Sequence, residues 1–321
     1  MSGNCQPTLS AADRLRQLLA KPEMLVMPAC YDALSAKLIQ RAGFGVTFMS
    51  GFGVAATRLG MPDTGLISYG EMLDQGRNIC GAVSIPVVGD GDTGFGNALN
   101  VARTVNGYHQ AGFACVMIED QVMPKRCGHV AGKEVVDREE ALLRIKAAVD
   151  ARHAGADILI MARTDARAPL GLEEAIARCQ AFVRLGADMT FLEAPQSEDE
   201  MRAYCREVSG PKMANLVEHG MTPWLSQSHL HEMGYKIAVY PLSLLNAAAG
   251  AMVQALTCLR QEQPMPGLMD FKKLQKIVGF DEYDAQMEAY RSQSKDIARN
   301  EDTSNQSAFA KPTADPPKLT E

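Results

Sequence analysis

Two carboxylates spaced Asp90-Gly91-Asp92, within the run Asp90-Gly91-Asp92-Thr93-Gly94-Phe95-Gly96, are the first residues whose types suggest chemistry. Residues two apart at a strand end point the same way. Glu119, ending the next apolar run, would bring a third carboxylate from the adjacent strand. Such a hard-oxygen set suits Mg²⁺, with Mn²⁺ as a substitute, because Mg²⁺ keeps several waters and takes one or two carboxylates. No histidine cluster accompanies it, which argues against zinc. The alternative is that Asp90 and Asp92 are turn and cap residues of a glycine-rich loop. A second signal is Lys125-Arg126-Cys127-Gly128-His129. Positive neighbours favour a thiolate at Cys127. A basic surface loop with an incidental cysteine is the plain reading, but the loop follows directly on Glu119-Asp120, which favours the chemical one. Arg163 could clamp a carboxylate bidentately, and Glu193 with Asn215 completes the candidates. A buried ion pair between Arg163 and Glu193 is compatible with either role.

These residues need elements to bring them together. Short apolar, β-branched runs recur at 25–29, 46–49, 86–89, 115–118, 158–162, 190–192, 213–215 and 237–240. Stretches of helical period separate them, so the alternation predicts a parallel sheet. Eight repeats predict a closed (β/α)8 barrel. In such a barrel the chemistry lies just beyond the C-terminal strand ends. Reading those positions gives Ser50-Gly51-Phe52-Gly53, Asp90 to Gly94, Glu119-Asp120, Arg163-Thr164-Asp165, Glu193 and Asn215. Each alone is an ordinary polar loop; their coincidence points to one mouth.

The 321 residues allow two domains, or one barrel of about 250 residues with extensions. The strand count favours the second. It divides the chain into an arm (1–11), a catalytic barrel (12–262), a helical oligomerisation segment (263–291) and a disordered tail (292–321) rich in polar residues and proline. The net charge of -6 and the lack of a basic run exclude nucleic acid and anionic membrane as partners. Eight cysteines without a C-x-x-C pair read as reduced thiols of a cytoplasmic protein. The charge-free stretch 237–259 contains Pro241, Asn246 and Gln254, so it reads as a buried strand and a buried helix, not a membrane span.

The loop Lys125 to His129, with Ile118-Glu119-Asp120-Gln121 and Asp90 to Gly96, resembles the isocitrate lyase / phosphoenolpyruvate mutase superfamily. Ser50 to Gly53, Met61-Pro62-Asp63, Met161 to Asp165 and Tyr240-Pro241-Leu242-Ser243 fit it too, over roughly residues 12–292. The resemblance implies a TIM barrel, Mg²⁺ held by Asp90, Asp92 and Glu119, and a gating loop carrying Cys127 as general acid. It implies that Lys125, His129, Arg163 and Glu193 are catalytic. Ser50, Gly51, Phe52, Gly53, Asp63, Gly128, Asn215 and Pro241 would line the substrate, with the backbone N–H groups of Ser50–Gly53 holding a keto acid. It further implies a homo-oligomer, often a dimer of dimers, with a C-terminal helix swapped between subunits. The Lys-Arg-Cys-Gly-His loop resembles the carbon–carbon lyases rather than the phosphonate mutases. Methylisocitrate lyases carry an arginine where this chain has Asn246, and a second where it has Gln275. Without them a third carboxylate is unpaired, which implies a dicarboxylate such as 2,3-dimethylmalate. 2-Methylisocitrate is the alternative substrate; oxaloacetate hydrolases, which by the family pattern prefer Ser at Pro241, and decarboxylases rank behind. A non-catalytic barrel scaffold is the competing class; it predicts no metal-dependent turnover.

Overall fold

The computed structural model describes residues 9–128 and 132–308. The strands are β1 (Leu25–Cys30), β2 (Thr47–Met49), β3 (Val87–Asp90), β4 (Cys115–Glu119), β5 (Leu159–Thr164), β6 (Met189–Leu192), β7 (Met213–Asn215) and β8 (Ile237–Tyr240). All pair in parallel in the order β6-β5-β4-β3-β2-β1-β8-β7. A parallel bridge between Thr190 and Lys212 brings β6 to β7 and nearly closes the barrel.

Helices α1 (Ala11–Ala20), α2 (Ala33–Arg41), α3 (Gly51–Val54), α4 (Tyr69–Ala82), α5 (Ala98–Ala111) and α6 (Arg138–His153) accompany the first half. Then come α7 (Arg167–Leu170), α8 (Leu172–Leu185), α9 (Glu198–Glu207), α10 (Gln227–Met233) and α11 (Ser243–Arg260). Their starts follow from local chemistry. Asp32, Ser68 and Asn97 accept backbone N–H groups of α2, α4 and α5 in capping boxes. At the far ends, Gly112 and Gly186 take left-handed conformations (φ 96° and 103°) that cap α5 and α8.

Alternate strand residues fill the barrel. Met27, Met117, Met161, Met189 and Met213 form its interior with Phe48, Phe191 and Val239. Flexible thioethers suit the irregular centre of a barrel. The opposite strand faces pack Val116, Ile118, Ile160 and Ala162 against α5 and α6, and Leu192 and Ala214 against α8 to α10.

Four features differ from the sequence reading. Helix α1 begins at the end of the expected arm, where Ser10 caps it by accepting from Asp13 N at 3.0 Å, and it buries Ala12 and Leu15 against the barrel-interior cluster. The run after β2 is helical, as α3 followed by a π-helical turn, Ala55–Leu59. Helix α11 is not buried: Met252, Val253, Leu256 and Leu259 are each more than half exposed, because nothing in its own barrel covers that face. Finally, residues from Pro266 form a second compact unit, with α12 (Phe271–Val278) and α13 (Phe280–Ala308). Helix α13 thus runs well into the stretch read as tail, since no proline interrupts it before Pro312. Residues 309–321 lie outside the described residues. No described helix is long and apolar enough to cross a membrane.

Candidate active site

Cys127 and Gly128, Arg163 after β5's central residues, Glu193 beyond β6, and Asp90 at the end of β3 line one cavity at the C-terminal mouth. Ser50, Phe52, Asp63, Asn215 and Pro241 line it too. Its walls are otherwise apolar: Phe48, Met117, Phe191, Met213, Val217, Val239 and Leu242. Ten of the sequence-derived candidates therefore converge. Gly51, Gly53, Asp92, Glu119 and Lys125 stand behind the lining and act on it. His129 lies outside the described residues.

Arg163 is the hub. Its guanidinium donates to Asp165 (Nε to Oδ2 2.8 Å, Nη2 to Oδ1 3.1 Å) and pairs with Glu119 at 3.2 Å and Glu193 at 3.1 Å. It also lies 5.2 Å from the Phe191 ring centroid, within cation–π range. Burial disfavours its charge, yet Asp165, Glu119 and Glu193 together hold its pKa well above the ordinary value. Asn215 Nδ2 steadies the Glu193 carboxylate at 3.3 Å to each oxygen. Asp165 is fully buried; burial would raise its pKa, but Arg163 and Lys133 hold it below the usual range.

A second cluster surrounds Lys125. Its buried ammonium sits 2.6 Å from Asp63 and 2.7 Å from Asp92. Burial pushes Asp92 up to about 7 despite Lys125, with Asp90 and Asp63 adding repulsion. Burial likewise raises Glu119 well above the carboxylate range, against the pull of Arg163. Asp92 Oδ2 and Glu119 Oε1 are buried without a hydrogen-bond partner. Buried carboxylate oxygens of this kind are costly unless a cation meets them. The donor set therefore fits a hard divalent ion. The three carboxylates do not converge as a closed cage, however: among the described residues no group of three His, Cys, Asp or Glu is placed to hold a metal alone. Lys125 takes one side of Asp92, Arg163 one side of Glu119, and Asp90 accepts from Gly51 N and Asp92 N, each at 3.1 Å.

The backbone cradle expected at residues 50–53 is largely committed elsewhere. Ser50 N donates to Cys30 O at 3.0 Å, Gly51 N to Asp90, and Gly53 N to Ser50 Oγ at 3.1 Å. These bonds form the start of α3 and lock Asp90 in place. A Cβ on Gly51 would fall 2.6 Å from Asp90 Oδ2, so the glycine permits this approach.

Several contributors were given no role in the sequence reading. Gln121 brackets the Cys127 loop through Nε2 to Arg126 O and Arg126 N to Oε1, both 2.9 Å. Val122 N to Glu134 O and Val136 N to Asp120 O (both 2.9 Å) close the loop's base as a short antiparallel pair. Beneath it Asp120 accepts from Thr164 Oγ1 (2.6 Å), Asp165 N (2.8 Å) and Arg178 Nη1 (3.0 Å). Arg178 comes from α8, whose spacing gave only an amphipathic signal.

The fold and mouth define a TIM-barrel enzyme with a carboxylate-rich site lined on one side by Cys127 and Gly128. Residues 15–260 match the phosphoenolpyruvate phosphomutase family model, and the chain belongs to the phosphoenolpyruvate mutase / isocitrate lyase superfamily, as a carbon–carbon lyase. It is 43% identical over 277 residues to 2,3-dimethylmalate lyase of Eubacterium barkeri, covering 85% of this chain and 96% of that one. It is 37% identical to 2-methylisocitrate lyase of Halalkalibacterium halodurans, covering 85% and 91%. Among solved structures, 2,3-dimethylmalate lyase superposes with a TM-score of 0.83 at 39% identity (88% and 96% covered). Oxaloacetate acetylhydrolase bound to 3,3-difluorooxalacetate gives 0.84 at 35% (89% and 97%). Phosphonopyruvate hydrolase, solved with oxalate and Mg²⁺, gives 0.76 at 31% (86% and 98%).

Proposed function

We propose that the chain cleaves the C2–C3 bond of an alkyl-substituted 2-hydroxy-dicarboxylate, such as 2,3-dimethylmalate, to an α-keto acid (pyruvate) and a carboxylate. The observation that carries this reading is the charge of the cavity. Among its described lining residues Arg163 is the single cation, and it already meets Glu119, Asp165 and Glu193. A tricarboxylate would bury a third carboxylate with no cation beside it, which is expensive. Asn246, where methylisocitrate lyases have arginine, is a neutral, exposed residue of α11. Phe48, Met117, Val217, Val239 and Leu242 instead suit alkyl branches.

Asp90, Asp92 and Glu119 would hold Mg²⁺ or Mn²⁺, largely through water. When bound, the ion supplies positive charge that acidifies the 2-hydroxyl of the substrate. The chain's own residues do the rest. Arg163 neutralises charge developing on the substrate oxygens, in a site screened from water. As the C2–C3 bond breaks, its electron pair goes to C3 and the hydroxyl proton leaves to a carboxylate or water. Cys127, facing the cavity, delivers a proton to C3. Lys125 fixes Asp92 and Asp63; Glu193 and Asn215 orient Arg163.

The partner is a small anionic substrate. The exposed apolar face of α11 favours a homo-oligomer, by exchange of a C-terminal helix between subunits and in a dimer of dimers. The seven described cysteines form no disulfide with one another, in keeping with a cytoplasmic setting. The direct test is a lactate-dehydrogenase-coupled assay of pyruvate release from 2,3-dimethylmalate. Turnover that disappears with chelator and returns with Mg²⁺ is expected; metal-independent turnover, or none, overturns the reading.

A further inference from the structure

Lys133 is a buried cation that the catalytic scheme above does not use. It stands on the returning limb of the Cys127 loop, next to Glu134, whose carbonyl is paired with Val122. Its side chain is 2% exposed. The ammonium donates to two groups of different kind: the Gly128 carbonyl of the outgoing limb at 2.6 Å, and Asp165 Oδ1 at 2.9 Å. Asp165 in turn receives both arms of Arg163 and is anchored through its own N–H to Asp120. One ammonium therefore ties the residue after Cys127 to the carboxylate that aims Arg163.

We infer that Lys133 is a positioning residue that couples the Cys127 loop to Arg163, so that thiol and guanidinium are brought to the cavity together. If Gly128 withdraws, Lys133 loses one of its two named partners while remaining over a buried carboxylate. Hydrogen bonds to charged groups in such surroundings are the strong ones. The site thus favours the docked loop, in which the Gly128 carbonyl satisfies a second N–H of the Lys133 ammonium. Gly128 fits this role: a Cβ there would fall 2.2 Å from Glu193 Oε2 and 2.6 Å from Arg163 Nη2, so only glycine lets the carbonyl come this close.

The kinetic part of this inference rests on the lyase reading; its chemical part does not. The rate of Cys127 alkylation by iodoacetamide, followed by peptide mass spectrometry, reports docking without any substrate. Lys133→Met should speed alkylation by roughly 10- to 100-fold, the worth of one charged hydrogen bond. Its kcat should fall by a similar factor, with a smaller change in KM. In Lys133→Ala, added ethylammonium should restore slow alkylation. Unchanged alkylation in a folded Lys133→Met protein overturns the inference. Should that variant not fold, Lys133→Arg keeps the charge on Asp165: faster alkylation supports the role, and a wild-type rate overturns it. If the variants show the alkylation contrast with wild type but wild type shows no lyase turnover, the substrate reading fails and the coupling stands.

Discussion

Cys127 lines the cavity and a Cβ added at Gly128 would clash with the Arg163–Glu193 pair, so substitutions at these two positions are expected to change activity more than stability. Cys127→Ser should unfold in urea like the wild type, yet lose cleavage by roughly 100- to 10,000-fold, the range for removing a positioned acid. Steady-state pyruvate release checks it; near-full activity would remove Cys127 from the proton transfer. Gly128→Ala should abolish docking of the loop through its Cβ clash and lower kcat/KM at least about 100-fold; wild-type kinetics would contradict the geometry. At this scale the placement of residues at the mouth was readable where candidates cluster in short spacing, as in Asp90-Gly91-Asp92 or Lys125 to Gly128. The sequence was silent on Lys133, a lone lysine whose carboxylate partner lies 32 residues away. It also gave no warning that the amides of Ser50, Gly51 and Gly53 are spent on strand, carboxylate and cap.

At the scale of elements, all eight strands were legible, because buried parallel strands are short apolar runs and every run here is followed by a helix. Helix α3, its π-helical continuation and the four-residue α7 were not, since such pieces are too short to show a period. Helix α8 shows how an element serves the mouth from outside. Its Arg178, fully buried, donates to Asp120 and Glu174. Arg178→Met leaves Asp120 buried beside Asp165 and should cost about 3–5 kcal/mol in urea unfolding. A loss below about 1 kcal/mol would mean that Asp120 does not depend on this pair. Arg167 on α7 holds Glu200 on α9 with two bonds, 2.9 and 2.5 Å, which keep that carboxyl below the usual glutamate range. A depressed pKa gives stability that is present above the ordinary value of 4.5 and lost as pH falls through the folded value. Urea unfolding should therefore show Glu200→Gln less stable than wild type near neutrality, with the gap closing below pH 4.5. A gap that persisted in acid would contradict the assignment.

At the scale of the whole molecule, the charge-free stretch 237–259 has a plain explanation. Its first part is the buried strand β8, and its second presents Met252, Val253, Leu256 and Leu259 outward from α11. Exposed apolar side chains in such a row are what the proposed subunit contact would cover. Burial of that face cannot be read from composition, because a helix covered by a second copy looks like one covered by its own chain. Val253→Asp with Leu256→Asp should shift light-scattering mass toward the monomer while leaving the barrel folded; an unchanged mass would place the subunit contact elsewhere. Preference for a dicarboxylate rests on a cavity with one described lining cation and an apolar wall. The measurement that tests it most directly is a side-by-side NMR comparison of 2,3-dimethylmalate and 2-methylisocitrate cleavage with Mg²⁺ present. The account predicts a kcat/KM for 2,3-dimethylmalate at least about tenfold higher, the cost of a poorly paired third carboxylate. Faster cleavage of 2-methylisocitrate would contradict it.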